Sequence, residues 1–240
     1  MSDTVDVKQY FTRAALSFDS LYLEDAGSIT RFINRRFRRD IYERFMLTLN
    51  HVERYKPESV LDVGCGSGRY AVALAQMGVK RIVGLDISEG MIGLAKKLST
   101  ENGASRQIEF WCGDFMDYSS ATTFQTVIAM GFFDYIRDPR PVLARMSSLA
   151  EHAVVASFPS INWYRTPIRK TRYVLKRCPV YFYRRNQIEQ LGRNSGFART
   201  EVHKIAGAGQ DYFATFYNIG AATASAANGN GAGSAIARSS

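Results

Sequence analysis

Three glycines at alternate positions, Gly64, Gly66 and Gly68, follow the apolar run Val60–Val63 and form the loop GCGSG. Glycine serves where a chain must turn sharply or bring its backbone close to a ligand. Three acids accompany the loop: Asp62 inside the run, Asp86 at the end of VGLD, and Asp114 in CGDF. An ionised carboxylate accepts several hydrogen bonds and can take two hydroxyls at once. A triphosphate loop, G-x-x-x-x-G-K-[ST], needs a lysine after its glycines, and none stands there. A dinucleotide loop, G-x-G-x-x-G, needs its third glycine where Arg69 stands; Gly68 comes one place early.

These residues must be placed by the elements around them. The pattern predicts strands at Ser59–Val63, Arg81–Leu85 (closed by Asp86), Ile108–Cys112, Thr126–Ala129 and Ala153–Ser157. Helices are predicted at Tyr70–Met77, at Gly90–Leu98 with Ser88 as N-cap, and at Pro139–Leu149, opening near its proline. Such alternation implies a parallel sheet covered by helices on both faces. Ligands then bind at the carboxyl ends of the strands, which is where the glycine loop falls. The pattern breaks after Pro159 and returns with a helix at Arg185–Asn194 and strands at Thr200–Lys204 and Tyr212–Tyr217, close enough for a hairpin. Before Ser59, Ile29, Phe32, Ile33, Phe37, Ile41, Phe45 and Leu49 mark one stripe of an amphipathic helix.

From about Tyr10 to Tyr217, and most strongly from Val60 to Phe133, the sequence resembles the class I methyltransferase family. Val60–Gly68 matches the family's first motif, [VIL]-L-D-[VIL]-G-C-G-x-G. Asp86, Asp114 and the segment TVIAMGFFDY match its later acids and fourth strand, in order. The resemblance implies a Rossmann-like methyltransferase sheet of seven strands, mostly parallel with a C-terminal antiparallel hairpin, and S-adenosylmethionine as cofactor. It implies a role for Asp62 at the cofactor's amino group, acting through the loop of Gly64, Cys65, Gly66 and Gly68 or through water. It assigns Asp86 to the ribose hydroxyls and Asp114 to the adenine amino group, with the Phe115 backbone facing a ring nitrogen. Ile87 and Met91 would sandwich the adenine, and Met130 and Gly131 would pass beneath the methionine part. Met91 and Met130 also suit a plain core.

The acceptor side is less specific. Asp134 and Tyr135 follow the fourth strand and are the candidate catalytic residues; they also suit the start of the next helix. None of the three histidines stands at the expected transfer point: His51 ends the N-terminal helix, His152 precedes the fifth strand and His203 lies on a late strand. Tyr10, Phe18 and Tyr22 in residues 1–55 form a candidate lid. Trp163, Tyr164, Arg165 and Arg169, in an aromatic and basic insertion over 160–184 of the domain 56–219, are candidate acceptor residues. That layout loosely resembles the magnesium-protoporphyrin O-methyltransferases, which implies O-methylation of a carboxylate or hydroxyl on a small amphipathic molecule. Residues 220–240 are small and polar and read as a disordered tail.

Charge bears on the partner. The 240-residue chain carries a net charge of +9, with no acid between Glu151 and Glu189 and a second arginine cluster at Arg31–Arg39. Such runs favour an anionic small molecule, a membrane surface in peripheral contact, or a nucleic acid, and a solvated helix face looks the same. An RNA methyltransferase and a non-catalytic S-adenosylmethionine-binding protein are therefore the alternatives. Against amino methylation of bases, MGFFDY stands where [DNS]-P-P-[YFW] would be expected. Three scattered cysteines without a C-x-x-C pair argue against disulfides and a structural metal, and fit a cytoplasmic protein.

Overall fold

The computed structural model describes Val7 and residues 28–161, 178–205 and 211–219, with the backbone alone for 28–40. The sequence expectations for Tyr10, Phe18, Tyr22, Trp163, Tyr164, Arg165, Arg169 and the tail 220–240 lie outside the described residues.

A helix, α1 (Ser28–Tyr55), leads into β1 (Ser59–Val63), α2 (Arg69–Gln76), β2 (Arg81–Asp86), α3 (Glu89–Glu101), β3 (Ile108–Cys112), β4 (Phe124–Ala129), α4 (Pro139–Leu149), β5 (Ala150–Phe158), α5 (Arg185–Asn194), β6 (Arg199–Lys204) and β7 (Tyr212–Tyr217). The seven strands form one sheet in the order β3-β2-β1-β4-β5-β7-β6. The first five are parallel; β7 runs antiparallel to both β5 and β6. The expected sheet and its hairpin are thus present. Strand β5 starts three residues earlier than its pattern suggested, because Glu151 and His152 are exposed where the strand begins.

Side chains alternate across the sheet. Leu61, Val63, Val83 and Leu85 pack with Leu143 and Met146 of α4 and Ile188 and Leu191 of α5. Val60, Ile82 and Ile128 face the other way, against Ala71, Val72 and Leu74 of α2 and Val52 of α1. Asp62, two residues after Val60, shares that second face. Proline opens α4, and Ser88 caps α3 by accepting from the Met91 N–H.

The strand order reverses between β1 and β4, where the connections depart to opposite sides and leave a crevice at the carboxyl edge. At the opposite edge α1 is tied down. The Tyr55 and Tyr217 hydroxyls lie 3.2 Å apart, and the Tyr217 hydroxyl donates to Glu201 at 3.2 Å. Burial, then the hydrogen bond with Tyr55, pushes the Tyr217 phenol well up.

Candidate functional site

Three residues in the glycine loop need the left-handed region, with φ +76° at Gly64, +53° at Gly66 and +79° at Gly68. The N–H groups of Gly64 and Cys65 both donate to the Leu85 carbonyl at 2.8 Å, which holds the loop beside the end of β2. Each glycine then has its own reason. A Cβ on Gly64 would meet Phe132 at 2.9 Å, and one on Gly68 would meet Ala95 of α3 at 2.9 Å. A Cβ on Gly66 would meet nothing within 4 Å, so its backbone borders open space. Gly66→Ala should therefore cost the fold only its backbone strain, about 1–2 kcal/mol. It should weaken cofactor binding besides, because the new methyl projects into that space. Thermal unfolding and calorimetry read the two effects separately; equal cofactor affinity in the variant would contradict a close backbone approach.

Two carboxylates lie under the loop. Asp86 accepts from the Gly66 N–H and from the Ser88 N–H, each at 2.9 Å, one on each oxygen. Its remaining lone pairs are free for a ligand's hydroxyls. Asp62 is buried, and its Oδ2 makes no hydrogen bond among the described residues. Burial, and then the neighbouring Asp86 charge, push the Asp62 carboxyl up to about 8. Asp86 is also raised, chiefly by burial. Two desolvated acids side by side favour a ligand that brings positive charge. S-adenosylmethionine has an ammonium and a sulfonium, so the donor set and the unmatched Asp62 oxygen fit it.

The neighbouring strand ends complete the rim. The Gly113 N–H donates to the Asp86 carbonyl at 3.0 Å, which brings the Asp114 turn next to Asp86. Asp114 caps the short 3₁₀ turn Phe115–Asp117 by accepting from Met116 N–H at 2.9 Å. Phe115 is buried, Ile87 and Met130 are half-buried, and Met91 is fully buried. At the end of β4, Gly131 has φ +74° and its N–H donates to the buried Ser157 hydroxyl at 2.8 Å. Arg44 of α1 donates to the same hydroxyl at 3.2 Å. Its Nη1 stands 3.4 Å from where a Cβ on Gly131 would lie.

A methyltransferase-domain family matches residues 60–152, the span that contains this loop and all three acids. The chain is 26% identical over 201 residues to the ubiquinone biosynthesis O-methyltransferase of Thiobacillus denitrificans, covering 74% of this chain and 85% of that one. Residues 60–152 are a class I S-adenosylmethionine-dependent methyltransferase domain. A second relative of the same name, from Hahella chejuensis, is 30% identical over 126 residues, but that match covers only 52% of its length. In fold, the methyltransferase resembles the magnesium protoporphyrin IX methyltransferase of Synechocystis PCC 6803 with bound SAH. The TM-score is 0.73 at 21% identity, over 90% of this chain and 100% of that one.

The turn after β4 carries the two residues expected from sequence to be catalytic. Asp134 is buried and Tyr135 half-buried, on a 3₁₀ turn (Phe133–Tyr135) that follows Gly131. Tyr181 donates its N–H to the Asp134 carbonyl at 2.9 Å, and the Tyr183 hydroxyl reaches the Ile136 carbonyl at 3.0 Å. The histidines lie away from this turn. His51 packs on Tyr55, at the far end of the sheet, and burial followed by the Arg54 charge pushes it down to about 4. His152 and His203 are exposed.

Arg44, Ser157 and Phe132 were not singled out from sequence. Arg44 sits at the i+3 place between Ile41 and Thr48, inside the apolar stripe of α1. A charge on an inward face was its signal. Among the described residues no His, Cys, Asp or Glu cluster could hold a metal, and no helix is long and apolar enough to cross a membrane.

Proposed function

We propose that this methyltransferase O-methylates a small anionic or amphipathic molecule on a carboxylate or hydroxyl. The observation that carries the reading is the 201-residue match to an O-methyltransferase, because it covers 74% of this chain, far more than the cofactor motifs span. Asp86 takes the two ribose hydroxyls. Asp114 takes the adenine amino group beside the Phe115 backbone, and Ile87 and Met91 bound the adenine. Asp62 faces the ammonium end through the loop of Gly64, Cys65, Gly66 and Gly68. Met130 and Gly131 line the methionine end, where Arg44 offers a guanidinium to the cofactor's carboxylate.

The bound cofactor supplies an activated methyl on a sulfonium. The chain then has to align an acceptor oxygen with that methyl and exclude water, and alignment alone can supply up to roughly 7–11 kcal/mol. A carboxylate or phenolate needs no base. For a hydroxyl, Asp134 or Tyr135 orients the oxygen, and the ionised Asp134 carboxylate is the group that can receive its proton. Tyr10, Phe18 and Tyr22, in the part of residues 1–55 that precedes α1, form the lid. Trp163, Tyr164, Arg165 and Arg169 in the insertion hold the acceptor's flat body and negative charge.

Neutralising Arg165, Arg169 and Arg172 together tests the acceptor part. Cofactor affinity should stay nearly intact while KM for an anionic acceptor rises. Loss of binding to anionic vesicles, with KM unchanged, would instead assign the patch to a membrane surface. Wild-type behaviour in turnover, vesicle binding and RNA binding would leave it a solvated face.

A further inference from the structure

The adenine end of the site is braced from behind by one residue of α4. Arg145, half-buried, donates from its Nη2 to the Tyr118 carbonyl. Its guanidinium carbon lies 5.9 Å from the centre of the Phe115 ring. Tyr118 is the C-cap of the Phe115–Asp117 turn and Asp114 its N-cap. The two contacts therefore seize the turn from α4, which is 27 residues further along the chain. The turn has little other freedom. A Cβ on Gly113 would run into the Trp111 ring, and Trp111 packs edge-on against Tyr118 at 5.5 Å. On the pocket side, Phe115 meets Phe132 at 6.4 Å, and Phe132 lies against Gly64. A contiguous path thus runs from Arg145 through Phe115 and Phe132 to the glycine loop.

Holding a guanidinium here has a cost. The Arg145 Nε is buried and makes no hydrogen bond among the described residues. A buried donor without a partner lowers stability, and an apolar side chain of similar length would avoid that. A cation retained at such a position is explained by what its other atoms hold.

We propose that Arg145 is a positioning residue for the cofactor: it fixes the turn that aims the Asp114 carboxylate and the Phe115 N–H at the adenine. The proposal rests on the reading that Asp114 receives the adenine amino group. Arg145 touches neither cofactor nor acceptor; it acts through the turn.

The test is a double-mutant cycle read as calorimetric affinity for S-adenosylhomocysteine, with thermal unfolding recorded alongside. Arg145→Met should weaken binding about tenfold, the scale of coupling between residues in one contact network. Arg145→Lys, which keeps a cationic donor for the Tyr118 carbonyl, should recover most of the loss. Should the methionine variant not fold, Arg145→Gln carries the same expectation, because it falls short of that carbonyl. With Asp114→Ala already present, the further loss from Arg145→Met should shrink to less than about twofold. Unchanged affinity in the Arg145 variants, or the same fold-loss in both backgrounds, overturns the proposal and leaves the Asp114 reading standing. Full affinity in Asp114→Ala alone removes that reading, and the proposal with it.

Discussion

Replacing Asp86 by alanine is expected to weaken S-adenosylmethionine binding by about 1.5–3 kcal/mol, roughly ten- to a hundred-fold. In the proposed reading, the loss is that of hydrogen bonds from two ribose hydroxyls to a charged acceptor. The carboxylate also receives the Gly66 and Ser88 N–H groups, so its removal frees two backbone donors at the loop. A fall in stability of about 1–3 kcal/mol should accompany the loss of affinity. Calorimetry and thermal unfolding on one preparation separate the two. Lower stability with unchanged affinity would mean that Asp86 only holds the loop.

The second large effect is a pH dependence centred on Asp62. Its folded pKa is raised from 3.8 to about 8, first by burial and then by Asp86. The folded state therefore keeps a proton that the unfolded chain gives up near pH 4. The stabilising contribution is full below that value and is lost as pH rises to about 8, at up to about 1.4 kcal/mol per pH unit. Asp62→Asn should flatten this slope, so the variant without cofactor should gain on the wild type as pH rises. Cofactor binding runs the other way. A cationic ligand favours the ionised acid, so binding below pH 8 should release a proton and tighten with rising pH. Titrations in two buffers of different ionisation heat measure the released proton directly. Asp62→Asn should abolish the release and bind more weakly at pH 8. An affinity independent of pH in the wild type would contradict the role given to Asp62.

Much of this site was legible because its parts are local. Gly64, Gly66 and Gly68 declare their backbone needs in the sequence, and Asp86 ends, and Asp114 closely follows, strands whose runs are plain. The parallel sheet and its hairpin followed from the alternation of patterns. The contributions of Arg44 and Ser157 were not legible in the same way. Arg44 comes from a helix before the first strand and Ser157 from the end of the fifth, 113 residues apart, and only the folded sheet brings them to Gly131. Arg145 was hidden for the same reason, since an arginine in an amphipathic helix reads as a surface residue until its carbonyl partner is seen. The loop-holding hydrogen bonds of Asp86 were also invisible, because a sequence names a carboxylate and not the backbone donors that converge on it.

Transfer of a methyl to oxygen on a small molecule can be followed with S-adenosylmethionine carrying a deuterated methyl. The protein is incubated with cell extract, the extract is separated into small molecules, RNA and protein, and each fraction is searched by mass spectrometry for the label. Transfer to oxygen should place the label in a small acidic or phenolic compound, as an alkali-labile ester or a stable ether. Label confined to RNA or protein, or carried on nitrogen or carbon, would contradict it.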